Sequence, residues 1–583
     1  MKTLTLLRNL MKDNNIDTYI ITKFDPHQSE YAHPRYNGVH FISGFGGSNG
    51  TVVITQDTAG LWTDARYFLQ ADKELQQGFI LHKEGVPGTV DFLRYARDIT
   101  PQGGTIGFCG ESLTPFQAKQ LRNNNLSLKF DQNLINKVWE NRPTFEREQL
   151  FTYDTKYTGA TVQDKLTTVR TEMAKYKAEL YPISSLDDIA WLLNIRSMGN
   201  TSSFNFLAYL VLTPKTVTLF IDTIPADSDA IATLQSQGVT IKPYNQIYTY
   251  LETTTATTAV YSPKRNSFLL ASKLANKKTT EIPNDITTNL KACKNETEIQ
   301  NTKIANEKEG ANFVRLIKWL KETVGTQPLT EHDVVNKISE IRSQTDGYLS
   351  HSFEPIVGYG PNGAIVHYRV EKETALDIHA KGSVLIDTGA HYIDGTTDIT
   401  RTIVLGELPQ YFKRHYTACL QGNIALGELV FVQGTIGLQI DAIAKAPLWQ
   451  IGATYGHGTG HGVGHLLNVH EGPANISTKI INEPIKENML FSNEPGIYIE
   501  NEYGIRLETS LFVKKAHANQ HGVFFCFDNV VLVPFDNDAI DKTMLSQKEI
   551  DWLNAYHQTV YTTLEKYLTL DEQRWLKTAT APL

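Results

Sequence analysis

Glycine occupies every second position in the histidine-rich segment Gly456-His457-Gly458-Thr459-Gly460-His461-Gly462-Val463-Gly464-His465, and Val469-His470-Glu471-Gly472-Pro473 follows closely. Four of the 17 histidines of the chain therefore fall between positions 457 and 470. The glycines allow the backbone to approach a ligand closely. A single buried histidine is usually a hydrogen-bonded core residue, but four together in a cysteine-poor chain favour a metal or acid–base site.

Two aspartates precede this segment in stretches that read as neighbouring strands. Gly382-Ser383-Val384-Leu385-Ile386-Asp387-Thr388-Gly389-Ala390 is apolar and contains one carboxylate near its end. A second strand is expected over Tyr392-Ile393-Asp394-Gly395-Thr396-Thr397-Asp398-Ile399-Thr400-Arg401. If the strands pair as a hairpin, Asp387 and Asp398 face one another and repel unless a cation lies between them. Either aspartate taken alone reads more simply as a turn or strand-end residue.

Two glutamates follow the histidines in a similar arrangement. Glu494 precedes a Pro-Gly turn in Asn493-Glu494-Pro495-Gly496-Ile497-Tyr498, and Glu508 lies in Gly504-Ile505-Arg506-Leu507-Glu508-Thr509-Ser510. They are 14 positions apart, so neighbouring strands could bring them together. Two aspartates, one or more histidines and two glutamates suit a pair of hard divalent ions such as Mn²⁺ better than a tetrahedral structural zinc site.

Composition narrows the class of protein. The 583 residues include 41% hydrophobic and 20% charged residues, which excludes disordered and fibrous chains. Lysine and arginine number 55 against 63 acidic residues, and this balance argues against a general nucleic-acid binder. No apolar stretch has the length of a signal peptide or a transmembrane helix, so no membrane association is expected. Four cysteines without a C-x-x-C pair predict a reducing compartment, the cytoplasm.

Local patterns divide the chain into four parts. An α/β domain is predicted over residues 1–150, with a helix at Leu4–Met11 and strands at 18–22, 50–54 and 60–63. Its glycine-rich segment 44–50 resembles a phosphate loop but precedes a strand instead of opening a helix, which disfavours a nucleotide site.

A second α/β domain is predicted over 151–293. There Ser185, with Asp188 three residues later, resembles a helix N-cap, and 206–212 with 217–221 reads as a buried hairpin. Helices and antiparallel strands are expected over 294–520, where Asn295 with Glu298 begins one long helix and Thr330 with Asp333 another. Residues 521–583 are predicted to be a helical extension packed with this third domain.

With these motifs together, the chain resembles the aminopeptidase P family, the Xaa-Pro aminopeptidases of the pita-bread metallopeptidases, in their large three-domain form. The resemblance extends to Phe41-Ile42-Ser43-Gly44-Phe45, Leu61-Trp62-Thr63-Asp64-Ala65-Arg66-Tyr67-Phe68 and Gly363-Ala364-Ile365-Val366-His367-Tyr368. It implies a fold of the α/β plus α+β class: two creatinase-like N-terminal α/β domains followed by a C-terminal pita-bread catalytic domain.

The resemblance also implies roles for individual residues. Metal binding is implied for Asp387 on one ion, for Asp398 and Glu508 as bridges, and for His461 and Glu494 on the other ion. Catalytic roles are implied for Glu494, His367 and His470, and substrate binding for Arg66, His367, His457, His461, His470 and Arg506, with Arg506 also supporting the carboxylates. His391 and His465 match no ligand and are expected to be structural.

The implied activity is release of the N-terminal residue from peptides with proline in the second position, by attack of a hydroxide that bridges two divalent ions on the Xaa-Pro bond. Mn²⁺ is the expected metal, with Zn²⁺ and Co²⁺ as alternatives. The amide nitrogen before proline carries no hydrogen, so a pocket for the ring, with His457 and an aromatic residue such as Tyr359 or Tyr368, would confer specificity. The resemblance further implies peptide substrates and a homodimer.

Three alternatives stay open. A prolidase has the same ligands but cleaves only dipeptides. A creatinase-type amidinohydrolase shares the fold without metals, and the complete set of five ligands argues against it. A non-enzymatic pita-bread binding protein would have lost ligands and usually carries an acidic tail, whereas residues 575–583 are not acidic.

Overall fold

A computed structural model describes residues 2–122, 125–145, 149–200, 202–222 and 228–583. The chain forms two compact units, one of residues 1–155, 160–200 and 204–290, the other of 156–159, 201–203 and 291–583. Both predicted N-terminal domains fall mainly in the first unit. The domain boundaries at 150, 293 and 520 stay predictions. Among the described residues no helix has the length and apolar character needed to cross a membrane.

Short helices and strands alternate up to residue 292. The helices are α1 (Lys2–Asp13), α2 (Gly38–Ser43), α3 (Phe68–Glu74), α4 (Phe92–Ile99), α5 (Pro115–Leu121), α6 (Ile135–Val138), α7 (Thr155–Thr158), α8 (Val162–Lys175), α9 (Leu186–Leu193), α10 (Asp229–Ser236), α11 (Ile247–Thr253), α12 (Phe268–Ser272) and α13 (Ile286–Ala292). The strands are β1 (Thr18–Thr22), β2 (Thr51–Ile54), β3 (Ala59–Thr63), β4 (Ile80–Lys83), β5 (Thr105–Phe108), β6 (Ser127–Lys129), β7 (Leu150–Thr152), β8 (Tyr181–Ile183), β9 (Ile195–Ser197), β10 (Tyr209–Leu212), β11 (Val217–Phe220), β12 (Val239–Lys242), β13 (Thr258–Tyr261) and β14 (Lys278–Glu281).

The first sheet has the strand order β4-β3-β2-β1-β5-β6. Successive residues of β1 point to opposite faces, so Tyr19 and Ile21 pack in one apolar cluster and Ile20 in another. The predicted helix at the N-terminus and the first three predicted strands are confirmed. Gly44 ends α2 with a left-handed φ of 82°, and the glycine-rich segment leads into β2, as expected.

The second α/β region contains the sheet β12-β11-β10-β8, and β10 pairs with β11 as the predicted antiparallel hairpin. Helix α9 begins directly after Ser185, which is its N-cap residue as predicted, although the Ser185 side chain makes no capping hydrogen bond. Its hydroxyl accepts from Arg265 Nη2 at 3.2 Å instead. Asp188 Oδ2 accepts from the hydroxyls of Thr287 and Thr288 at 2.8 and 2.6 Å, so tertiary contacts replace the local one.

The rest of the chain contains six α-helices of 10–28 residues and strands of 2–11 residues among the described residues. The helices are α14 (Glu296–Thr323), α15 (Glu331–Ser343), α16 (Phe412–Gly427), α17 (Gly437–Gln450), α18 (Gln547–Leu564) and α19 (Leu570–Ala579). The strands are β15 (Tyr348–His351), β16 (Ile356–Tyr359), β17 (Ser383–Thr388), β18 (Ala390–Tyr392), β19 (Gly395–Thr396), β20 (Ile399–Val404), β21 (Phe431–Val432), β22 (Gly460–Gly462), β23 (Glu471–Ile476), β24 (Leu490–Asn493), β25 (Gly496–Ile499), β26 (Tyr503–Arg506), β27 (Thr509–Asn519) and β28 (Gly522–Asn529).

Both predicted capping boxes are present. Asn295 and Glu298 exchange hydrogen bonds at the start of α14, and Thr330 and Asp333 do so at the start of α15. The predicted C-terminal helices are α18 and α19. Leu553 of α18 is fully buried and belongs to the same apolar cluster as residues of α16.

Two sheets carry the residues of the predicted metal site: β16-β17-β20 and β21-β28-β27-β24-β22-β23. The single strand predicted over residues 392–401 is wrong. Gly395 has a φ of 153°, which residues with side chains rarely adopt, and the chain turns there. Strands β18 and β19 consequently form a small hairpin beside β15, and β20 starts only at Ile399.

Candidate active site

Strands β17 and β20 bring the two predicted aspartates to one region of the second unit. The strands are antiparallel, with Asp387 opposite Thr400 and Thr388 opposite Ile399. Asp398 immediately precedes β20, one position before the last paired residue. The aspartates thus flank the end of a paired ladder, although they are not directly opposite each other as the simple hairpin predicted.

The two glutamates occupy corresponding positions on another strand pair. Glu494 follows β24 and Glu508 precedes β27, while Asn493 and Thr509 between them are paired across the sheet. The side-chain nitrogen of Asn423 on α16 donates to the carbonyl of Asn493 at 2.8 Å and to that of Leu507 at 3.1 Å. This buried amide holds the two strand ends together, and no motif in the sequence predicted its role.

His461 lies on β22 and faces the carboxylates. Its Nε2 is 3.4 Å from Asp398 Oδ2 and 3.5 Å from Glu494 Oε1. One ligand atom from each of Asp398, His461 and Glu508 lies within 4.8 Å of the others, a spacing at which one cation could contact all three. Gly460 permits this approach, because a Cβ there would overlap the carbonyl oxygen of Ser492.

The grouped carboxylates are electrostatically unfavourable without a cation. Burial, and then the negative charges of Asp387 and Glu494, raise the pKa of Asp398 well above its ordinary value. Burial, and then Asp398, similarly raise the pKa of Glu508, and burial raises the pKa of Glu494 to about 7 although Arg506 opposes the change. Cations between the carboxylates would remove both the desolvation penalty and the repulsion.

One oxygen of Asp387 also fits a metal ligand. Its Oδ2 accepts from Arg506 Nη2 at 2.5 Å, whereas its buried Oδ1 has no hydrogen-bond partner within the described residues. A buried carboxylate oxygen without a partner is costly. The unpaired oxygen, the imidazole and the crowded carboxylates together fit a pair of divalent cations.

A buried network supports this cluster. Besides Asp387, Arg506 donates to the hydroxyls of Tyr498 at 2.8 Å and Thr400 at 3.2 Å. The Tyr498 hydroxyl also lies 2.8 Å from Nε2 of His457. Tyr498 therefore connects the predicted substrate histidine to the arginine that holds a predicted ligand. Tyr498 lies in the segment 493–498 quoted above for Glu494, but no pattern in the sequence predicted this connecting role.

The remaining predicted residues differ in how close the structure places them to the cluster. The rings of His461 and His470 meet edge to face with centroids 4.3 Å apart, so His470 adjoins the site. His367 follows Val366, whose carbonyl accepts from Arg506 Nη2 at 3.3 Å. Arg66 lies in the first unit, and its predicted role in substrate binding stays a prediction.

Two further histidines make the contacts of structural residues. The ring nitrogens of His391 contact the Thr396 hydroxyl and the Ser202 carbonyl, both at 3.0 Å. Those of His465 contact the Thr302 hydroxyl at 3.3 Å and the Tyr157 carbonyl at 3.1 Å.

The tyrosines considered for the proline pocket also have other partners. Tyr368 donates to Glu331 Oε2 at 2.9 Å, and Tyr359 donates to the Lys381 carbonyl at 3.1 Å. Their hydroxyls thus bind the protein itself, while a contact of either ring with substrate stays a prediction.

A buried ion-pair group, which no sequence pattern predicted, adjoins His470. Glu471 binds Lys291 Nζ at 2.7 Å through Oε1 and binds Lys294 through Oε2. All three side chains are almost completely buried. Because Glu471 follows His470 directly, these two lysines fix the backbone beside the predicted catalytic histidine.

Comparison with known families accounts for nearly all of the chain. Residues 300–515 match metallopeptidase family M24 and residues 523–583 the C-terminal region of that family. Residues 4–136 and 141–298 each match a creatinase/prolidase N-terminal domain.

Among curated proteins, aminopeptidase P2 of Arabidopsis thaliana is 36% identical over 97% of this chain and 86% of its own length. The chain belongs to the aminopeptidase P family. Xaa-Pro aminopeptidase 1 of Dictyostelium discoideum is also 36% identical, and the match spans 100% of this chain and 96% of the length of that protein. The family assignment confirms the predicted creatinase-like N-terminal domains and pita-bread catalytic domain.

A solved family structure agrees over the full length. The X-prolyl aminopeptidase of Caenorhabditis elegans, described as a cytosolic enzyme with a di-nuclear active site, is 30% identical. It matches with a TM-score of 0.95 over 100% of this chain and 99% of its own. An Xaa-Pro dipeptidase from Bacillus anthracis, 20% identical with a TM-score of 0.51 over 64% of this chain, shares the fold alone.

Proposed function

We propose that this protein is a metal-dependent Xaa-Pro aminopeptidase, which releases the first residue of peptides whose second residue is proline. The cluster of Asp398, His461 and Glu508 is the observation that carries the proposal, because a buried group of carboxylates around an imidazole needs cations. Its occurrence in a chain that matches aminopeptidases P from end to end favours this activity over a binding function.

Five residues are proposed to hold two divalent ions: Asp387, Asp398, His461, Glu494 and Glu508. We propose Mn²⁺ as the metal, since four of the five donors are carboxylates, and Zn²⁺ and Co²⁺ are the alternatives. When bound, the two ions supply a water of lowered pKa and polarise the carbonyl of the scissile bond. The chain itself must position the peptide and transfer protons.

Three residues are proposed to handle the protons and charges of the reaction. Glu494 is proposed to accept a proton from the attacking water, because its Oε1 lies within the cluster, 3.5 Å from Nε2 of His461. His470, beside His461, is proposed to stabilise the negative charge that develops on the carbonyl oxygen. His367 is proposed to deliver a proton to the leaving proline nitrogen.

The specificity for proline follows from what the Xaa-Pro bond lacks. Its nitrogen has no hydrogen to donate, so recognition must rely on the shape of the ring. His457 is proposed to line the pocket for the ring, with its orientation fixed by Tyr498. Arg66 and Arg506 are proposed to contribute to substrate binding, Arg506 through the position it imposes on Asp387.

The cellular location and the oligomeric state of the enzyme are also proposed. The cysteines at 109, 293, 419 and 526 are all free thiols, and the related nematode protein is described as cytosolic, which supports a cytoplasmic location. A homodimer is proposed from the family resemblance.

Peptide length tests the proposal against the prolidase alternative. The protein with added Mn²⁺ is incubated with Xaa-Pro-Pro, with Xaa-Ala-Pro and with the dipeptide Xaa-Pro, and release of the first amino acid is measured. We expect rapid cleavage of Xaa-Pro-Pro and little of Xaa-Ala-Pro. Cleavage of the dipeptide alone would establish a prolidase, and no cleavage of any peptide would support a binding protein.

A further inference from the structure

The strand order of the first sheet changes direction between β1 and β5. Strands β2, β3 and β4 follow one another on one side of β1, and the chain then crosses to place β5 and β6 on the other side. Strands β1 and β5 are parallel, with Ile20 opposite Phe108. In open α/β sheets, ligands bind in the crevice beyond the carboxyl ends of the strands at such a point.

A cavity of about 30 Å³ lies at this position. It is lined by the end of β1, by Cys109, Glu111 and Ser112 after β5, and by Arg35 and Arg142 from the flanking segments. A buried water needs roughly 10–15 Å³ of such space. The cavity therefore has room for two or three waters, or for a molecule of about four non-hydrogen atoms.

Two arginines supply a local excess of positive charge. Within the described residues both guanidinium groups donate only to uncharged oxygens: Arg35 to the Pro143 carbonyl at 2.8 Å, and Arg142 to the Arg35 carbonyl at 2.7 Å and to the Asn136 amide. Burial, followed by the charge of Arg35, lowers the pKa of Arg142, as expected for two cations held close together.

The lining of the cavity includes one carboxyl group, that of Glu111, against two guanidinium groups. Glu111 Oε1 accepts from the Tyr248 hydroxyl at 3.1 Å, and burial raises the pKa of Glu111 although Arg142 opposes the change. Arg142 lies over the ring of Tyr36 at 5.7 Å and Arg35 over that of Phe145 at 5.3 Å. These contacts limit the movement of both guanidinium groups while leaving N–H groups available for a ligand.

We propose that this cavity, referred to here as the β1–β5 site, binds a small carboxylate-type oxyanion between Arg35 and Arg142. The fork of a guanidinium group matches a planar carboxylate in two-point hydrogen bonding. The volume suits an anion the size of acetate, and the position at the turning point of the strand order is that of ligand sites in other α/β sheets. Binding would relieve the repulsion between the arginines and stabilise the domain.

Acetate is the probe for this site. The unfolding temperature of the full chain is measured in increasing sodium acetate, with sodium chloride at matched ionic strength as the reference, and binding is measured directly by calorimetry. A ligand that binds only the folded state raises the unfolding temperature in a saturable way. We expect such a rise for acetate, a smaller effect for the bulkier phosphate, and none beyond the ionic-strength effect for chloride.

Variants locate the binding. Arg142→Gln and Arg35→Gln are each expected to weaken acetate binding about tenfold or more, the usual effect of losing a hydrogen bond to a charged group. Arg94→Gln is the matched control, because Arg94 is 64% exposed on α4 of the same sheet region. If the glutamine variants are unfolded without acetate, Arg142→Lys takes their place. It retains the positive charge but lacks the guanidinium fork, so we expect it to bind acetate more weakly than the native protein.

Three results would overturn the proposal. They are a chloride effect equal to that of acetate, acetate binding that is unchanged in both Arg35 and Arg142 variants, and phosphate binding tighter than acetate. None of these measurements uses peptidase activity, so their outcome is independent of the proposed function.

Discussion

Replacing Asp398 by asparagine should have opposite consequences with and without metal. Asp398 and Glu508 are buried, and their ligand atoms lie within 4.8 Å of each other. With an effective dielectric constant of about 20, two negative charges at this distance repel by about 3 kcal/mol. Burial, and then the charges of neighbouring carboxylates, raise the pKa of both groups. Bound cations or retained protons would relieve the repulsion.

In the presence of a chelator at pH 8, the Asp398→Asn variant should therefore be as stable as the native protein or more stable, by up to about 3 kcal/mol. With Mn²⁺ the native protein should gain stability, whereas the variant should gain little and lose peptidase activity. Urea unfolding with and without Mn²⁺, together with Xaa-Pro-Pro hydrolysis, measures both effects. An equal stabilisation of both proteins by Mn²⁺, or turnover by a variant that still binds two metals, would refute the reasoning.

The same substitution at Asp441 provides a control. Asp441 is buried too, but its Oδ2 is paired with Lys445 at 2.7 Å and its Oδ1 accepts from Thr459 at 2.6 Å. Asp441→Asn removes the partner of a buried cation, which should cost about 3–5 kcal/mol whether or not metal is present. The contrast separates a carboxylate that needs a metal from one that already has a partner.

Three further substitutions test the surrounding network and a buried acid. In Arg506→Lys, the lysine cannot bind Asp387 and Tyr498 in the planar geometry of a guanidinium group. This variant should lower kcat at least tenfold and raise the Mn²⁺ concentration needed for activity. Unchanged metal affinity would argue against the supporting role of Arg506. Tyr498→Phe removes the hydroxyl that contacts both His457 and Arg506. It should cost about 1–3 kcal/mol of stability, seen in urea unfolding, and raise KM for Xaa-Pro-Pro. Burial raises the pKa of Asp285 from 3.8 to about 7. Between these pH values the folded state holds a proton that the unfolded state releases. The free energy of unfolding should therefore fall by up to about 4 kcal/mol as the pH rises from 4 to 7. Asp285→Asn should remove that pH dependence, and an unchanged stability profile between pH 4 and 8 would contradict it.

Local sequence patterns predicted the elements that local interactions determine. The capping boxes at Asn295 and Thr330 fixed the starts of two helices, because both partners of each box lie within four residues. The apolar run ending near Asp387 identified a strand next to a carboxylate. The prediction of one strand over 392–401 is wrong because residues with high β propensity indicated a continuous strand, whereas the turn at Gly395 divides the segment.

Contacts between distant parts of the chain could not be predicted from such patterns. Glu471 binds Lys291 across 180 positions, and Asn423 reaches a strand end 70 positions away. Ser185 was expected to cap α9 locally, but Arg265, 80 positions later, binds its hydroxyl. Sequence patterns indicated the aspartates, the histidine-rich segment and the glutamates as candidate ligands. The choice of His461 and the ion assigned to each ligand came from the family resemblance, since spacing along the chain does not determine which strands become neighbours.

The dependence of activity on metal tests the central claim most directly. Protein stripped with a chelator is titrated with Mn²⁺ while the release of the first amino acid from Xaa-Pro-Pro is followed and bound metal is counted in the same sample. We expect no release without metal and full activity at about two ions per chain, as for a two-metal hydrolase. Full activity in the stripped protein, or inactivity with two bound ions and every Xaa-Pro peptide offered, would contradict it.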